Sequence, residues 1–115
     1  MKQKTKVNLL GREIEIILHS ERNEQYQGCV RQEKDRFIIE FFGLVTDYIL
    51  IHECWHCLFR VLWTLDNAEH VFAELKDEIY AYVFSEFCAD VIGKVTHLKL
   101  YHKMWDEKND KKGKD

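Results

Sequence analysis

The stretch His52-Glu53-Cys54-Trp55-His56 sets two imidazoles four residues apart, with a carboxylate directly after the first. On a helix, residues i and i+4 lie on one face about a turn apart. His52 and His56 can therefore grip one metal ion, and Glu53 can reach a water bound to it. This is the His-Glu-x-x-His pattern of zinc hydrolases. A catalytic zinc takes three protein ligands and leaves a fourth position for water. The expected ion is Zn2+, with His52 and His56 as two of its ligands. Zinc lowers the pKa of bound water toward ~7. Glu53 is then the expected general base: it takes the water proton as oxygen attacks a carbonyl, and passes a proton to the leaving nitrogen.

The third ligand has to come from elsewhere in the chain. Glu69, His70, Glu74, Asp77, Glu78, Glu86 and Asp90 are the candidates. A following helix packed antiparallel would bring its first turns near the C-terminal half of the motif helix, which favours Glu74, Asp77 and Glu78. Glu78 would lie on the inward edge if Ile79 and Val83 pack inward, and a carboxylate there is costly unless paired or metal-bound. Glu74 or Asp77 could instead be solvated acids at the helix start. His70 is a rival, since imidazole is also good zinc chemistry. A phenol near the metal could donate to the developing oxyanion; Tyr82 is the better placed, with Tyr80 second.

The elements that must position these groups follow from patterning. Residues 7–42 look like strands. Ile14, Ile16 and Leu18 alternate with Glu13, Glu15 and Ile17, as in a half-buried strand with one polar face. Ser20 to Gln27 is polar and reads as a loop. Gly28 to Phe42 reads as a hairpin that turns at Gln32 to Asp35, with Arg36 to Phe42 its strongest strand. Leu44 to Leu65 is apolar around most of its circumference, which predicts a central, buried helix carrying the motif. A second long helix is expected over roughly Lys76 to Tyr101, because Ile79, Val83, Phe87, Val91, Val95 and Leu98 recur at three- and four-residue spacing while Glu86, Asp90 and Lys94 mark a wetter side.

Composition bounds the setting. One domain is expected over residues 1–103, with 104–115 a charged, frayed tail. The apolar fraction of 46% in 115 residues supplies a core. A net charge of −3 gives no basic face for nucleic acid. The apolar runs are too short for the ~20 residues of a membrane span. No apolar signal core follows the basic Met1 to Lys6, so the expected location is intracellular. Cys29, Cys54, Cys57 and Cys88 fit reduced thiols packed in a core; Cys54-x-x-Cys57 falls inside an apolar helix, the wrong context for a redox motif. His19, His97 and His102 read as surface residues.

At the motif the chain resembles the zincin metallopeptidases of gluzincin type, in which a glutamate on a later helix completes the His-Glu-x-x-His site. It is most similar to the small single-domain members of bacteriophage and prophage genomes. The matching second stretch is Asp77-Glu78-Ile79-Tyr80-Ala81-Tyr82, and 21 residues separate His56 from Glu78. The resemblance spans about residues 28–90. It implies zinc at His52, His56 and Glu78, Glu53 as base, Tyr82 beside the site, and a setting in the host cytoplasm. It also implies that Phe37 to Phe42 is the strand bordering the cleft, able to pair an extended peptide. Cys54, Trp55 and Cys57 depart from the small residues expected around the motif.

The expected protein is thus α+β, a minimal zincin-like fold with a small antiparallel sheet, a buried motif helix and a second long helix. Its expected activity is zinc-dependent hydrolysis of a peptide or protein substrate. The alternatives are a non-catalytic binding or regulatory module stabilised by zinc, and a zinc amidase acting on a non-protein amide.

Overall fold

A computed structural model describes residues 1–43, 45–65 and 77–101, the side chains of Asp77 and Glu78 excepted. Four strands and two helices make up the described elements: β1 (Lys2–Leu9), β2 (Arg12–His19), β3 (Gly28–Glu33), β4 (Arg36–Phe42), α1 (Asp47–Trp63) and α2 (Asp77–Val95). The class is α+β. The sheet is mixed, where an antiparallel one was expected. Its order is β1-β2-β4-β3. The hairpins β1–β2 and β3–β4 are antiparallel, and β2 runs parallel to β4. Parallel neighbours need a long connection; here residues 20–27 and β3 itself supply it. Gly43, at φ +73°, is where this loop crosses the end of β4: a Cβ there would lie 2.4 Å from the Arg22 Cγ and 3.0 Å from the Arg22 Cα.

The strand region starts earlier than the sequence suggests. β1 reaches back to Lys2, and Lys2, Lys4 and Lys6 alternate with Gln3, Thr5 and Val7. Lysines on an edge strand discourage pairing with another chain. The expected polar face of β2 is real, yet mostly buried: Glu15 and Ile17 are covered because β2 is an inner strand, while the Glu13 side chain stays 43% exposed. Lys4 and Arg36 reach Glu15 at 3.5 and 3.1 Å. Their aliphatic stems can cover the apolar atoms beneath.

The other sheet face carries the core. Ile14, Ile16 and Leu18 of β2 and Phe37, Ile39 and Phe41 of β4 meet the two helices there. α1 lies over β3 and β4, and α2 over β1. Thr46 caps α1, its Oγ1 accepting from the Ile49 N–H at 3.1 Å. Cys54, Cys57, Leu58 and Val61 are fully buried. Their neighbours Tyr48, Ile51, Trp55, Phe59 and Trp63 are exposed, so α1 has one buried face and is not the wholly buried helix expected. Apolar composition all round a helix does not by itself say how many faces other elements cover.

The second helix is shorter than its periodicity suggests. It ends at Val95; a turn follows, and residues 99–101 are helical again. Phe87, Cys88, Val91 and Val95 form its buried stripe. Ile79, expected inside, is half exposed. The Leu100 N–H donates to the Gln3 Oε1 at 2.6 Å, tying the end of this region to β1. No helix among the described residues is long and apolar enough to cross a membrane.

Candidate metal centre and groove

α1 puts His52 and His56 on its outward face, where both are exposed. Their Nε2 atoms stand 3.1 Å apart. Two nitrogens at that separation can both lie 2.0–2.1 Å from one ion, the usual zinc–imidazole length of about that size. The rings are edge-on to one another, with centroids 4.6 Å apart. Tyr48, one turn earlier, stacks on His52 at 6.0 Å. Glu53 points a quarter-turn away, toward β3, and is only 6% exposed. Burial pushes its carboxyl above the ordinary range, partly offset by His52 and His56.

β3 approaches α1 closely because residue 28 is glycine. A Cβ on Gly28 would stand 3.0 Å from the Glu53 Cγ, 3.2 Å from the Glu40 carbonyl oxygen and 3.3 Å from the Ile49 Cγ2. Glycine within a strand often marks such an approach of backbone to a neighbour. The result is an open groove of about 510 Å³ between β3 and α1, bordered by Tyr26, Gly28, Val30, His52, Glu53, His56 and Arg60 among others. At its other end it continues past Gln25 and Gln27 to Tyr48 and Ile49.

The strand bordering this groove is β3. β4, which contains the Phe37 to Phe42 stretch given that position by resemblance, is paired on both sides, to β2 and to β3. It has no free edge to offer. β3 has one. The Phe42 N–H donates to the Gln27 carbonyl, and Cys29, Arg31 and Glu33 follow Gln27 in register with Glu40, Ile38 and Arg36. Antiparallel pairs alternate between bonded and non-bonded, so the backbone groups of Gly28, Val30 and Gln32 face outward, away from β4.

The remaining expected site residues are placed as follows. Glu78 and Asp77 occupy the first turn of α2; their side chains are outside the described residues. Glu69, His70 and Glu74 also lie outside them, as does His102. Among the described residues no group of three or more His, Cys, Asp or Glu side chains is gathered to hold an ion. Tyr82 is 67% exposed and is not among the described groove-lining residues. Tyr80 turns the other way. It packs edge-on to Trp55 at 5.2 Å, and its hydroxyl is buried with no hydrogen-bond partner among the described residues. Glu86 and Asp90 are exposed on α2.

Cys54, Cys57 and Cys88 behave as packing residues, whereas Cys29, expected in the core, is half-buried and lines the groove. Cys54 and Cys88 meet between the two helices, where their mutual hydrogen bond and burial hold the Cys54 thiol far above its usual range. Burial pushes Cys57 up to about 12. Neither is a thiolate ready for redox or metal chemistry. His19, read as a surface residue, is half-buried: its Nε2 contacts the Glu40 Oε2 at 2.6 Å and its ring stacks on Phe42 at 4.7 Å.

Sequence reasoning passed over Gly28 and Arg60. Both were marked: a glycine opens a strand, and Arg60 follows His56 by four residues and Glu53 by seven, on the same side of the helix. No family profile, curated protein or solved structure matches this chain.

Proposed function

We propose that the protein is a zinc-dependent peptidase of zincin type, with His52, His56 and Glu78 as metal ligands and Glu53 as general base. The observation that carries this reading is the pair of Nε2 atoms 3.1 Å apart, beside a buried carboxylate whose charged form burial disfavours. Donor chemistry fits zinc, which takes imidazole and carboxylate readily. The two imidazoles lie on an outward face. A third ligand would have to come from an equally outward side of α2, and Ala81 and Tyr82, three and four residues beyond Glu78, are exposed.

When bound, the ion would supply Lewis acidity to a water and to the scissile carbonyl. The chain's own residues do the rest. An extended peptide can add to the outward-facing backbone of Gly28 and Val30, which supplies main-chain hydrogen bonds and aligns the substrate beside α1. Glu53 accepts a proton from the water whose oxygen bonds to the carbonyl carbon, and returns it to the amine nitrogen as the carbon–nitrogen bond breaks. A raised carboxyl pKa suits both halves of that task, because the proton must be held and then released. Tyr82 as the oxyanion donor belongs to this proposal and would require its exposed phenol to swing toward the groove.

Two features favour this over its alternatives. A site kept only for stability has no use for a carboxylate that burial disfavours. A free strand edge beside the imidazoles suits a peptide better than a non-protein amide. The test is bound zinc in wild type and in His52→Ala, His56→Ala and Glu78→Ala, with cleavage of a mixed peptide library by wild type and Glu53→Gln. Zinc should be lost or greatly weakened in all three ligand variants, and cleavage lost in Glu53→Gln. Full zinc in Glu78→Ala would remove that residue from the ligand set. Equal inertness of wild type and Glu53→Gln, with zinc retained, would leave a structural metal site.

A further inference from the structure

We infer that Arg60 selects peptides carrying an acidic side chain two to three residues from the scissile bond, on the side of the groove that Arg60 closes. The inference rests on the reading of the groove as a peptide channel, and adds the chemistry of what it takes.

Arg60 is exposed in the last turn of α1 and lines the groove. The arginine facing it across the groove mouth, Arg31, is already committed: its Nε donates to the Glu40 Oε1 at 2.5 Å and its guanidinium also holds Glu33. Arg60 forms no ion pair among the described residues, where Lys4, Lys6, Arg31 and Arg36 all do. The described acids on the outer face of the sheet are thus paired locally, and among the described residues none takes the donors of the Arg60 guanidinium in the groove. Its field reaches β3: the Cys29 thiol, raised by burial and by Glu40 and Glu53, is pulled back by Arg31 and Arg60.

The distances match an extended chain. From Glu53 to Arg60 the helix rises about 10 Å, and from Gly28 to Arg31 the strand advances about 10 Å. A peptide lying between them gains about 3.3 Å per residue. An arginine side chain on a helix leans toward the helix N-terminus, so the guanidinium falls some two to three residues along the peptide from the imidazole pair. The opposite end of the groove, with Tyr26 and Tyr48, offers aromatic surface and, among the described residues, no lysine or arginine. Guanidinium binds carboxylate through paired, charge-assisted hydrogen bonds, so the asymmetry is one of charge.

The experiment uses the zinc-loaded full chain carrying Glu53→Gln, so that peptides bind without being cut. Short fluorescent peptides of neutral sequence, each with one Glu or one Lys at a scanned position, are titrated and their anisotropy followed. At one position, or two adjacent ones, the Glu peptide should bind about tenfold more tightly than the Lys peptide, the size of one charge-assisted contact. Adding Arg60→Ala should erase the difference, Arg60→Glu should reverse it, and Arg60→Lys should restore part of it. Equal binding of Glu and Lys peptides, no binding of any peptide, or a Glu preference that survives both Arg60→Ala and Arg60→Glu would overturn the inference. Its fate separates from that of hydrolysis. Arg60-dependent acid binding by a protein whose Glu53 form cuts nothing supports acid recognition and sinks the peptidase; cleavage with no acid preference does the reverse.

Discussion

Glu40 and Glu53 are buried to almost the same degree, at 8% and 6% exposure, and their surroundings treat them in opposite ways. Burial works against the charge of Glu40, but hydrogen bonds from Arg31 and His19 outweigh it and hold the carboxyl below its usual range. Glu53 suffers the same burial and has no hydrogen-bond or ion-pair partner among the described residues; its carboxyl is held up, with only the field of His52 and His56 opposing. Glu40 lies on the outer face of the sheet, where each neighbouring charge is neutralised. Glu53 lies on the groove side, where an imidazole pair and a guanidinium stand with their donor and acceptor atoms turned outward. A satisfied carboxylate stabilises a fold. One without a protein partner, beside a groove and with its charge disfavoured by burial, is a candidate for chemistry.

The largest effect expected from breaking this contrast is on activity. Glu53→Gln should lower peptide hydrolysis by about 100- to 10,000-fold, the usual worth of a general base, while zinc content stays at the wild-type level. Steady-state rates and metal analysis on the same sample check both halves.

Next in size is the loss of the partnered acid. Glu40→Ala strands Arg31 and His19 over the sheet and should lower unfolding stability by about 1–2 kcal/mol, since its partners are partly exposed and solvent screens them. The midpoint of urea unfolding measures it. A variant as stable as wild type would mean that the Arg31–Glu40–His19 cluster contributes nothing net.

The two acids should also give pH profiles of opposite sign in metal-free protein. Glu40 is held below its unfolded value. Its stabilisation is therefore complete above the ordinary carboxylate range near 4.5 and disappears as pH falls through the folded value. Glu40→Gln should accordingly be less stable than wild type at neutral pH and converge with it in acid. Glu53 is raised, so its ionisation removes stability as pH climbs from the ordinary value through the folded one. Glu53→Gln should match wild type in acid and exceed it at neutral pH. Thermal melts at several pH values, with chelator present, decide it; profiles of the same sign would erase the distinction drawn between the two sites.

The smallest change sharpens the geometry. Gly28→Ala places a methyl 3.0 Å from the Glu53 Cγ and 3.2 Å from the Glu40 carbonyl oxygen. Strand and helix must shift apart by a few tenths of an ångström, at a cost of about 1 kcal/mol. Hydrolysis should fall several-fold through kcat, because Glu53 is displaced, and the unfolding free energy should fall by about 1 kcal/mol. An unaltered kcat would show that the close approach of β3 does not set the position of Glu53.

Some of this was legible in residue order and some was not. The motif pair needed only the helix period: Thr46 starts α1, and four residues of spacing then set the two imidazoles side by side whatever the rest of the chain does. The strands from Arg12 and Arg36 were legible for the same reason, alternation being a local property. The pairing of β4 was not. Its sequence reads equally well as a cleft-side edge or an inner strand, and only the return of the chain through residues 20–27 puts β3 outside it. The exposure of Trp55 and Phe59 was hidden likewise, because a helix apolar on every side gives no hint of which sides are covered.

The sequence by itself thus determined the His52–His56 pair, the carboxylate beside it and the presence of strands and helices, since these depend on neighbours one turn or one pleat away. Tertiary structure decided which strand edge faces the imidazoles, which buried glutamate is paired and which has its carboxyl held up by burial, and which arginine is tied to the sheet's acids. The strand edge and the contrast between the glutamates depend in part on contacts more than 20 positions apart, Gly28 with Glu53 and His19 with Glu40, whose closeness is fixed by how the sheet is wound and is written in no local pattern.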